Sequence, residues 1–248
     1  MLDALIDRID QQWAAADIAT PPRRLMEVGW PIKLPVLLGA AGRPPARTRS
    51  AFPVGFDSNS GDAVWLIPSE TGRLFFVTGG RRSGRSTAAM AIAQAARAHG
   101  WSVIATAASE TSPFHDFAGV MPVVDLAAVD SALAPARSPR MVVIDDLHRL
   151  NADDPRRPTT LSNADLVVVV GPVSLFAGLQ RQLTELGLDK SRNGLVLMPA
   201  GFADVDPLGV SSSAVRPEMY KGKKPGQGLI GLDGELVDVT IPLVDPAD

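Results

Sequence analysis

One glycine-rich segment constrains the fold of this chain more than any other feature. Residues 79–87 read Gly-Gly-Arg-Arg-Ser-Gly-Arg-Ser-Thr and follow the apolar run Leu74–Thr78. The alanine-rich segment Ser86–His99 contains no proline, and it is followed by Gly100, a residue type that commonly ends a helix. The sequence therefore predicts a tight turn that joins a strand to a helix.

The spacing in this turn matches the phosphate-binding pattern G-x-x-x-x-G-K-[ST], except that Arg85 stands at the lysine position. Glycines let backbone N–H groups wrap around phosphate oxygens, and the positive end of the following helix points at the same place. The Ser86 hydroxyl is placed to bind Mg²⁺. The alternative is an ordinary glycine-rich turn without a ligand. The residues expected around the phosphates are Gly79, Gly80, Arg81, Arg82, Ser83, Gly84, Arg85, Ser86 and Thr87.

Two acidic residues end the apolar run Met141–Ile144, roughly sixty residues after the glycine-rich turn. Asp145 is the candidate for the acid that supports Mg²⁺ in P-loop ATPases. Asp146 stands where many such enzymes carry the glutamate that polarises the attacking water. Aspartate is one methylene shorter, so its carboxylate sits about an ångström farther back, which costs on the order of a hundredfold in rate. The alternative is that both acids simply end a strand.

Arg85 limits the activity that the turn can support. Lysine presents a compact charge to the β- and γ-phosphates, whereas the guanidinium group is bulkier and planar. Because Arg85 and Asp146 both depart from the pattern, we expect binding of ATP and Mg²⁺ with slow or absent hydrolysis. Arg81 and Arg82 add positive charge at the tip of the turn, where they face phosphate, a neighbouring domain or solvent.

The rest of the chain from Gly72 onward alternates strand-like and helix-like segments, which is typical of a mostly parallel sheet flanked by helices. The sequence predicts strands at Trp101–Ala107, Met141–Ile144, Leu166–Val170 and Leu195–Met198, and a helix at Ser174–Leu186. Together with the phosphate-binding turn, this order predicts an α/β fold of the RecA-like P-loop NTPase type.

Shorter runs lie on either side of this core. A small antiparallel N-terminal meander is predicted from Val36–Leu38, Ala51–Gly55 and Val64–Pro68. A C-terminal hairpin is predicted where Leu229–Leu232 and Leu236–Ile241 flank the turn signal Asp233-Gly234. We assign residues 1–33 to a linker with a short amphipathic helix at Leu2–Trp13, and residues 34–248 to the ATPase domain.

Composition excludes several other classes of protein. The 248 residues carry a formal net charge of −3, whereas a generic nucleic-acid-binding surface normally has a basic excess. The chain has no cysteine, so it can form neither a disulfide nor a thiolate metal site. Its apolar runs are too short to span a membrane. We therefore expect a cytoplasmic protein.

In this order, the features resemble the FtsK/SpoIIIE-type ATPases, and specifically the C-terminal ATPase module of the EccC family of type VII secretion. The resemblance spans nearly the whole chain and includes the phosphate loop and Asp145-Asp146. The other segments that carry it are Met1–Leu25, Leu34–Gly39, Pro53–Gly55, Leu179–Gly187, Gly194–Met198, Asp204–Gly209 and Pro225–Gly228. The last of these reads Pro-Gly-Gln-Gly, where the family usually has Pro-Gly-Arg-Gly.

This resemblance implies a module of a motor that works at the cytoplasmic face of a membrane. Its partners would be the other ATPase modules of the motor and a small helical WXG-type substrate that carries a C-terminal signal. Contact with the membrane is expected only through the parent complex, and nucleic acid is not an expected partner. In this family the C-terminal modules often have degenerate ATP sites, and one of them receives the signal in an apolar pocket. Leu175, Phe176 and Leu179 are candidate pocket residues, with core packing as the alternative.

The resemblance and the motifs together favour an ATP-binding module that is weak or inactive in hydrolysis and acts in substrate recognition and regulation. Two alternatives remain open. One is an active ATPase that translocates DNA or protein. The other is a structural pseudo-ATPase that binds no nucleotide.

Overall fold

The computed structural model describes part of the chain: residues 31–44, 50–107, 112–116, 129, 132, 138–146, 161, 163–174 and 192–244. Three predictions therefore lie outside the described residues. They are the helix at Leu2–Trp13 with most of the linker, the helix at Ser174–Leu186 beyond its first residue, and the candidate pocket residues Leu175, Phe176 and Leu179.

Strands and helices alternate along the described ranges. The helices are α1 (Leu34–Ala40), α2 (Pro68–Thr71), α3 (Arg85–Ala98) and α4 (Phe202–Val205). The strands are β1 (Phe52–Asp57), β2 (Ala63–Leu66), β3 (Leu74–Gly79), β4 (Ser102–Ala107), β5 (Arg140–Asp145), β6 (Leu166–Gly171), β7 (Gly194–Leu197), β8 (Gln227–Leu232) and β9 (Glu235–Thr240). Short 3₁₀ turns lie at Pro113–Asp116, Asp206–Leu208, Ser212–Ala214 and Pro217–Met219.

All strands of the described ranges join one sheet in the order β2-β1-β9-β8-β7-β3-β6-β5-β4. Strands β7, β3, β6, β5 and β4 are parallel to one another. The remaining pairs, from β2 to β7, are antiparallel. Strand β3 is thus central, and β6 lies between it and β5. The carboxyl ends of the parallel strands meet at one edge of the sheet, where α/β proteins bind their ligands.

The predicted strand at Val36–Leu38 is wrong, because these residues belong to α1. Pro35 occupies the first turn of this helix, where its fixed φ is favourable and its missing N–H costs nothing. Leu34 and Leu37 are buried three residues apart, whereas Val36 is 54% exposed. A short apolar run fits a strand or a helix equally well, and here the proline and the spacing of the buried residues favour the helix.

The remaining two segments of the predicted meander are strands, but they do not form a separate layer. Strands β1 and β2 pair antiparallel, and β1 also pairs with β9. The second strand ends at Leu66, because Pro68 begins α2. The N-terminal strands therefore extend the main sheet.

Helix α3 covers one face of the sheet with small side chains. Its buried residues include six alanines along with Met90 and Ile92, and they pack against Phe75, Val143 and Val168. The opposite face, which carries Phe76 and Val169, is covered by a second cluster that includes Leu208. Every residue of β6 is buried, as expected for a continuous valine run between two layers.

The hairpin of β8 and β9 turns at Asp233 and Gly234, which have φ angles of 50° and 84°. Both angles suit the tight turn that matches the twist of paired strands. The buried Asn193 side chain holds this turn in place: its Oδ1 accepts the Asp233 N–H at 2.7 Å, and its Nδ2 donates to the Thr71 carbonyl. One amide therefore links the hairpin to the segment that precedes β3.

Within the described residues, no helix is both long enough and apolar enough to cross a lipid bilayer.

Candidate functional site

The loop between β3 and α3 needs glycine at its first position. A Cβ atom on Gly79 would lie 2.5 Å from the Leu197 carbonyl oxygen and 2.6 Å from Ser83 Oγ. Both distances are below those that real Cβ atoms show, so any larger residue would push the loop away from β7. The second glycine, Gly84, has φ 88° and immediately precedes α3. Gly79 thus allows the close approach of the loop to β7, and Gly84 adopts a left-handed conformation that favours glycine.

The N-terminus of α3 has the features of an anion-binding helix end. Gly84 has no side chain to cap the helix, and the first turn of α3 contains no acidic residue. The first N–H groups of a helix have no acceptor within the helix, and the helix dipole adds partial positive charge there. This end of a 14-residue helix therefore offers the backbone donors that a phosphate group requires.

Ser83 lies inside the loop and is only 1% exposed. Its Oγ has no hydrogen-bond partner among the residues that the structure describes. Its carbonyl oxygen accepts the Gly226 N–H at 3.1 Å. The segment before β8 therefore supports the back of the loop, while a buried hydroxyl remains available to a ligand.

Arg85 is half-buried at the start of α3, and its side chain folds back over the loop. Its Nη1 donates to the Gly79 carbonyl oxygen at 3.1 Å. The guanidinium group is thus tied to the first residue of the phosphate loop. A planar head held there is less free than a lysine ammonium group to follow a phosphate.

Ser86 and Asp145 meet across the gap between α3 and β5. Ser86 Oγ donates to Asp145 Oδ1 at 3.2 Å, although the two residues are 59 positions apart in sequence. Asp145 ends β5 and is 1% exposed. A hydroxyl and a carboxylate are hard oxygen ligands of the kind that Mg²⁺ prefers. The fold therefore brings together the two residues that the sequence assigned to Mg²⁺.

The environment of Asp145 disfavours its negative charge. Burial raises the pKa of the Asp145 carboxyl, and the nearby Asp146 raises it further. Hydrogen bonds from Ser112 and Ser86 and the charge of Arg85 oppose this rise without cancelling it. A divalent cation beside the carboxylate would favour its ionised form.

Asp146 follows β5 with φ 57°, in the left-handed region that residues other than glycine rarely adopt. Aspartate and asparagine tolerate this conformation better than most residues. The side chain is half-buried. The structure thus places Asp146 beside Asp145 in a constrained turn.

The other predicted site residues lie along the same loop. Gly80, Arg81 and Arg82 are exposed, and Arg82 has φ 63°. Thr87 is half-buried in the first turn of α3. Gly80, Arg81 and Arg82 thus form the exposed tip of the loop, whereas Ser83 is buried and Arg85 and Ser86 make hydrogen bonds within the site.

Sequence reasoning missed two residues of the site. Ser112 Oγ donates to Asp145 Oδ2 at 2.7 Å, and Gly226 contacts Ser83. Ser112 lies 33 positions before Asp145, in a segment without a recognised motif. Gly226 was noted only as part of Pro225–Gly228 in the family resemblance. The Ser-Pro pair at Ser112 and Pro113, just after β4, was the one local signal that marked a fixed turn.

The loop and its surroundings fit Mg²⁺ and a nucleotide. They provide a glycine cradle that a Cβ would fill, the backbone donors of a helix N-terminus, a buried hydroxyl without a partner among the described residues, and the Ser86–Asp145 pair. These are the donors that phosphate oxygens and a hard cation require.

Sequence comparisons found no match, either to a family model or to a curated protein. Solved structures do match. EssC (ATPases 2 and 3) from Geobacillus thermodenitrificans aligns with TM-score 0.65 and 14% identity, over 98% of this chain and 50% of that chain. The cytoplasmic domain of EssC aligns with TM-score 0.63 and 15% identity, over 97% and 52%.

A third match is EccC (ATPases 2 and 3) of Thermomonospora curvata in complex with a signal sequence peptide. It aligns with TM-score 0.55 and 16% identity, over 83% of this chain and 43% of that chain. This chain thus spans about half the length of each of these three solved chains. At such low identity the matches establish the fold. The resemblance noted in the sequence is confirmed at that level: the chain has the P-loop NTPase fold of the EssC and EccC ATPase domains.

Proposed function

We propose that this chain is an ATP-binding module of a type VII secretion motor, with weak or no hydrolysis, and that it acts in substrate recognition and regulation. The observation that carries the proposal is the Ser86–Asp145 hydrogen bond of 3.2 Å beside the glycine loop. An ordinary glycine-rich turn would not require a buried carboxylate at the first turn of the helix that follows it. The fold shared with EssC and EccC supports the assignment to a secretion motor.

The chain's own residues would hold the ligand. Backbone N–H groups of the loop and of the first turn of α3 would bind the phosphates. Ser86 and Asp145 would hold Mg²⁺ beside them. When bound, the cation neutralises charge on the phosphate oxygens.

Two features support weak hydrolysis. The Arg85 guanidinium is bonded to the Gly79 carbonyl, which restricts its approach to a terminal phosphate. Asp146 has a short side chain in a constrained turn, and small errors in the position of a catalytic group cost large factors in rate. We therefore assign Asp146 a weakened role in activating water.

The solved structures that share this fold support a proposal about the partners of this chain. One solved EccC structure contains two ATPases and a signal sequence peptide, and this chain matches about half of its length. We propose that this chain works beside other ATPase modules at the cytoplasmic face of a membrane. Its secretion substrate would be a small helical WXG-type protein with a C-terminal signal.

Calorimetry of ATP with Mg²⁺, alongside a turnover assay, tests the proposal. We expect a dissociation constant on the order of micromolar with negligible turnover. The Arg85→Lys variant should raise turnover by about tenfold or more, because a correctly placed charge at the transferred phosphoryl group stabilises the transition state. Arg97→Lys is the matched control, since Arg97 is exposed in the last turn of α3, at the far end of the helix from the loop, and its replacement should change neither quantity.

Two results would contradict this proposal. Rapid turnover by the native chain would favour an active translocating ATPase. Complete absence of ATP binding would favour a structural pseudo-ATPase.

A further inference from the structure

The two oxygens of the Asp145 carboxylate have different partners. Oδ1 accepts a hydrogen bond from Ser86 of the phosphate loop at 3.2 Å. Oδ2 accepts a shorter one, 2.7 Å, from Ser112. The pattern that identifies Asp145 and Ser86 does not include Ser112, because Ser112 comes from the segment that follows β4.

Ser112 is held in a fixed position by its own turn. Pro113 follows it and begins the 3₁₀ turn Pro113–Asp116. The backbone N–H of Phe114 donates to Ser112 Oγ at 3.3 Å, and the His115 N–H donates to the Ser112 carbonyl oxygen at 3.2 Å. The Phe114 ring is fully buried in the same core cluster as α3. The position of Ser112 is therefore tied to the packing of the domain.

These contacts also fix the direction of the hydrogen bond. Ser112 Oγ accepts from the Phe114 N–H, so its single proton is available to the carboxylate. Ser112 is 8% exposed, so water does not readily replace this donor. A hydrogen bond to a buried charged group contributes more than one between neutral groups.

We infer that Ser112 is a positioning residue of the nucleotide site. By holding Oδ2, it keeps Oδ1 of Asp145 turned toward Ser86, and the Mg²⁺-dependent part of nucleotide binding depends on this orientation. The inference rests on the proposed function, because it concerns the same site. It assigns Ser112 no contact with nucleotide.

The test compares ATP binding with Mg²⁺ and with EDTA, for the whole chain and its Ser112→Ala variant. Loss of a partner that orients a metal ligand typically weakens metal binding by about 10–100-fold. We expect the ratio of ATP affinity with Mg²⁺ to ATP affinity with EDTA to be lower by this factor in Ser112→Ala. The affinity in EDTA itself should be unchanged. Ser112→Thr keeps the hydroxyl and should retain most of the gain.

Ser102→Ala is the matched control. Its hydroxyl bonds to Ser138 Oγ at 2.6 Å, at the opposite end of β4 from the site. This variant also loses one side-chain hydrogen bond, and it should bind ATP as the native chain does under both conditions. If Ser112→Ala does not fold, Ser112→Cys takes its place, because it preserves the size of the side chain and has a weaker donor.

The outcomes separate the inference from the function on which it rests. If the native chain gains affinity with Mg²⁺ and Ser112→Ala gains as much, the inference is wrong and the proposed function stands. An equal loss with Mg²⁺ and with EDTA would make Ser112 merely structural and would also overturn the inference. If the native chain binds no ATP under either condition, the proposed function fails, and the inference fails with it.

Discussion

The parallel and antiparallel halves of the sheet differ in how they are buried and in what lies at their ends. Strand β6 of the parallel half is buried along its whole length, whereas β9 of the antiparallel half is partly or fully exposed at four of its six positions. Strands β3 and β5 of the parallel half end at the phosphate loop and at Asp145, whereas β8 of the antiparallel half ends in the hairpin turn at Asp233 and Gly234. Of the described strands, those that are buried along their whole length are β3, β6 and β7, and all three belong to the half that carries the site.

The antiparallel half reaches the site at one described point. The N–H of Gly226, just before β8, donates to the Ser83 carbonyl in the phosphate loop. Through this hydrogen bond the antiparallel half supports the loop from behind. We therefore expect substitutions in either half to lower stability, and only substitutions in the parallel half to abolish ligand binding directly.

The largest expected effect comes from a pair of glycines, one in each half, that both lie against β7. Gly79→Ala would place a Cβ 2.5 Å from the Leu197 carbonyl, and Gly228→Ala would place one against the Val196 carbonyl. Each should destabilise the fold by about 1–3 kcal/mol through overpacking. Only Gly79→Ala should abolish ATP binding, because only Gly79 belongs to the phosphate loop.

Chemical denaturation and calorimetry on the two variants measure these quantities. Equal loss of ATP binding in both would show that binding follows global stability, and the contrast between the halves would then be wrong.

A smaller effect, with opposite signs for binding and stability, is expected for Asp145→Asn. Mg²⁺-dependent ATP binding should fall by about 10–100-fold. The free energy of unfolding without ligand should rise by about 0.5–2 kcal/mol, because a buried group with a disfavoured charge becomes neutral. Residues that are required for function commonly lower the stability of the fold.

The gain in the free energy of unfolding from Asp145→Asn should depend on pH. The folded-state pKa of Asp145 is raised above its unfolded value, so the folded chain holds the proton when the unfolded chain has released it. Native stability relative to the variant should therefore fall as pH rises above the ordinary aspartate pKa, near 3.9. Below that pH both states are protonated, and the difference should vanish. Thermal melts of the native chain and the variant between about pH 3 and about pH 7 test this prediction. A stability difference that grows toward low pH would contradict it.

The smallest expected effect tests the corrected assignment of α1, which lies beside the antiparallel half. Val36→Thr should change the free energy of unfolding by less than about 0.5 kcal/mol, because Val36 is 54% exposed. The same change at Val54, which is 1% exposed in β1, should cost about 1–3 kcal/mol through burial of a hydroxyl. Equal costs at both positions would indicate that Val36 is buried.

Local patterns were sufficient for the parallel half. The valine run of β6 and the glycine spacing of residues 79–84 are visible in a few consecutive residues, and so is Asp145 at the end of an apolar run. In each of these segments the residue types alone indicate the local structure or the ligand. They predicted the strands, the helix α3 and the assignment of Ser86 and Asp145 to one Mg²⁺ site.

The features that the sequence did not predict depend on contacts between segments that are distant in the sequence. Ser112 meets Asp145 only because β4 and β5 are neighbours in the sheet, and Gly226 meets Ser83 only because β8 lies next to β7. The run Val36–Leu38 is too short to reveal its period, so tertiary packing decided between helix and strand. Sequence alone does not provide those neighbours.

The amide of Asn193 has a consequence for the kinetics of folding. Its two partners, Thr71 and Asp233, lie 122 and 40 positions away. Contacts between such distant residues form only after the intervening chain has been ordered, so this amide can satisfy both partners only once both halves have assembled. Interactions that are absent from the transition state govern the rate of unfolding and leave the rate of folding nearly unchanged. We therefore expect loss of the Asn193 amide to speed unfolding of the assembled sheet more than it slows folding.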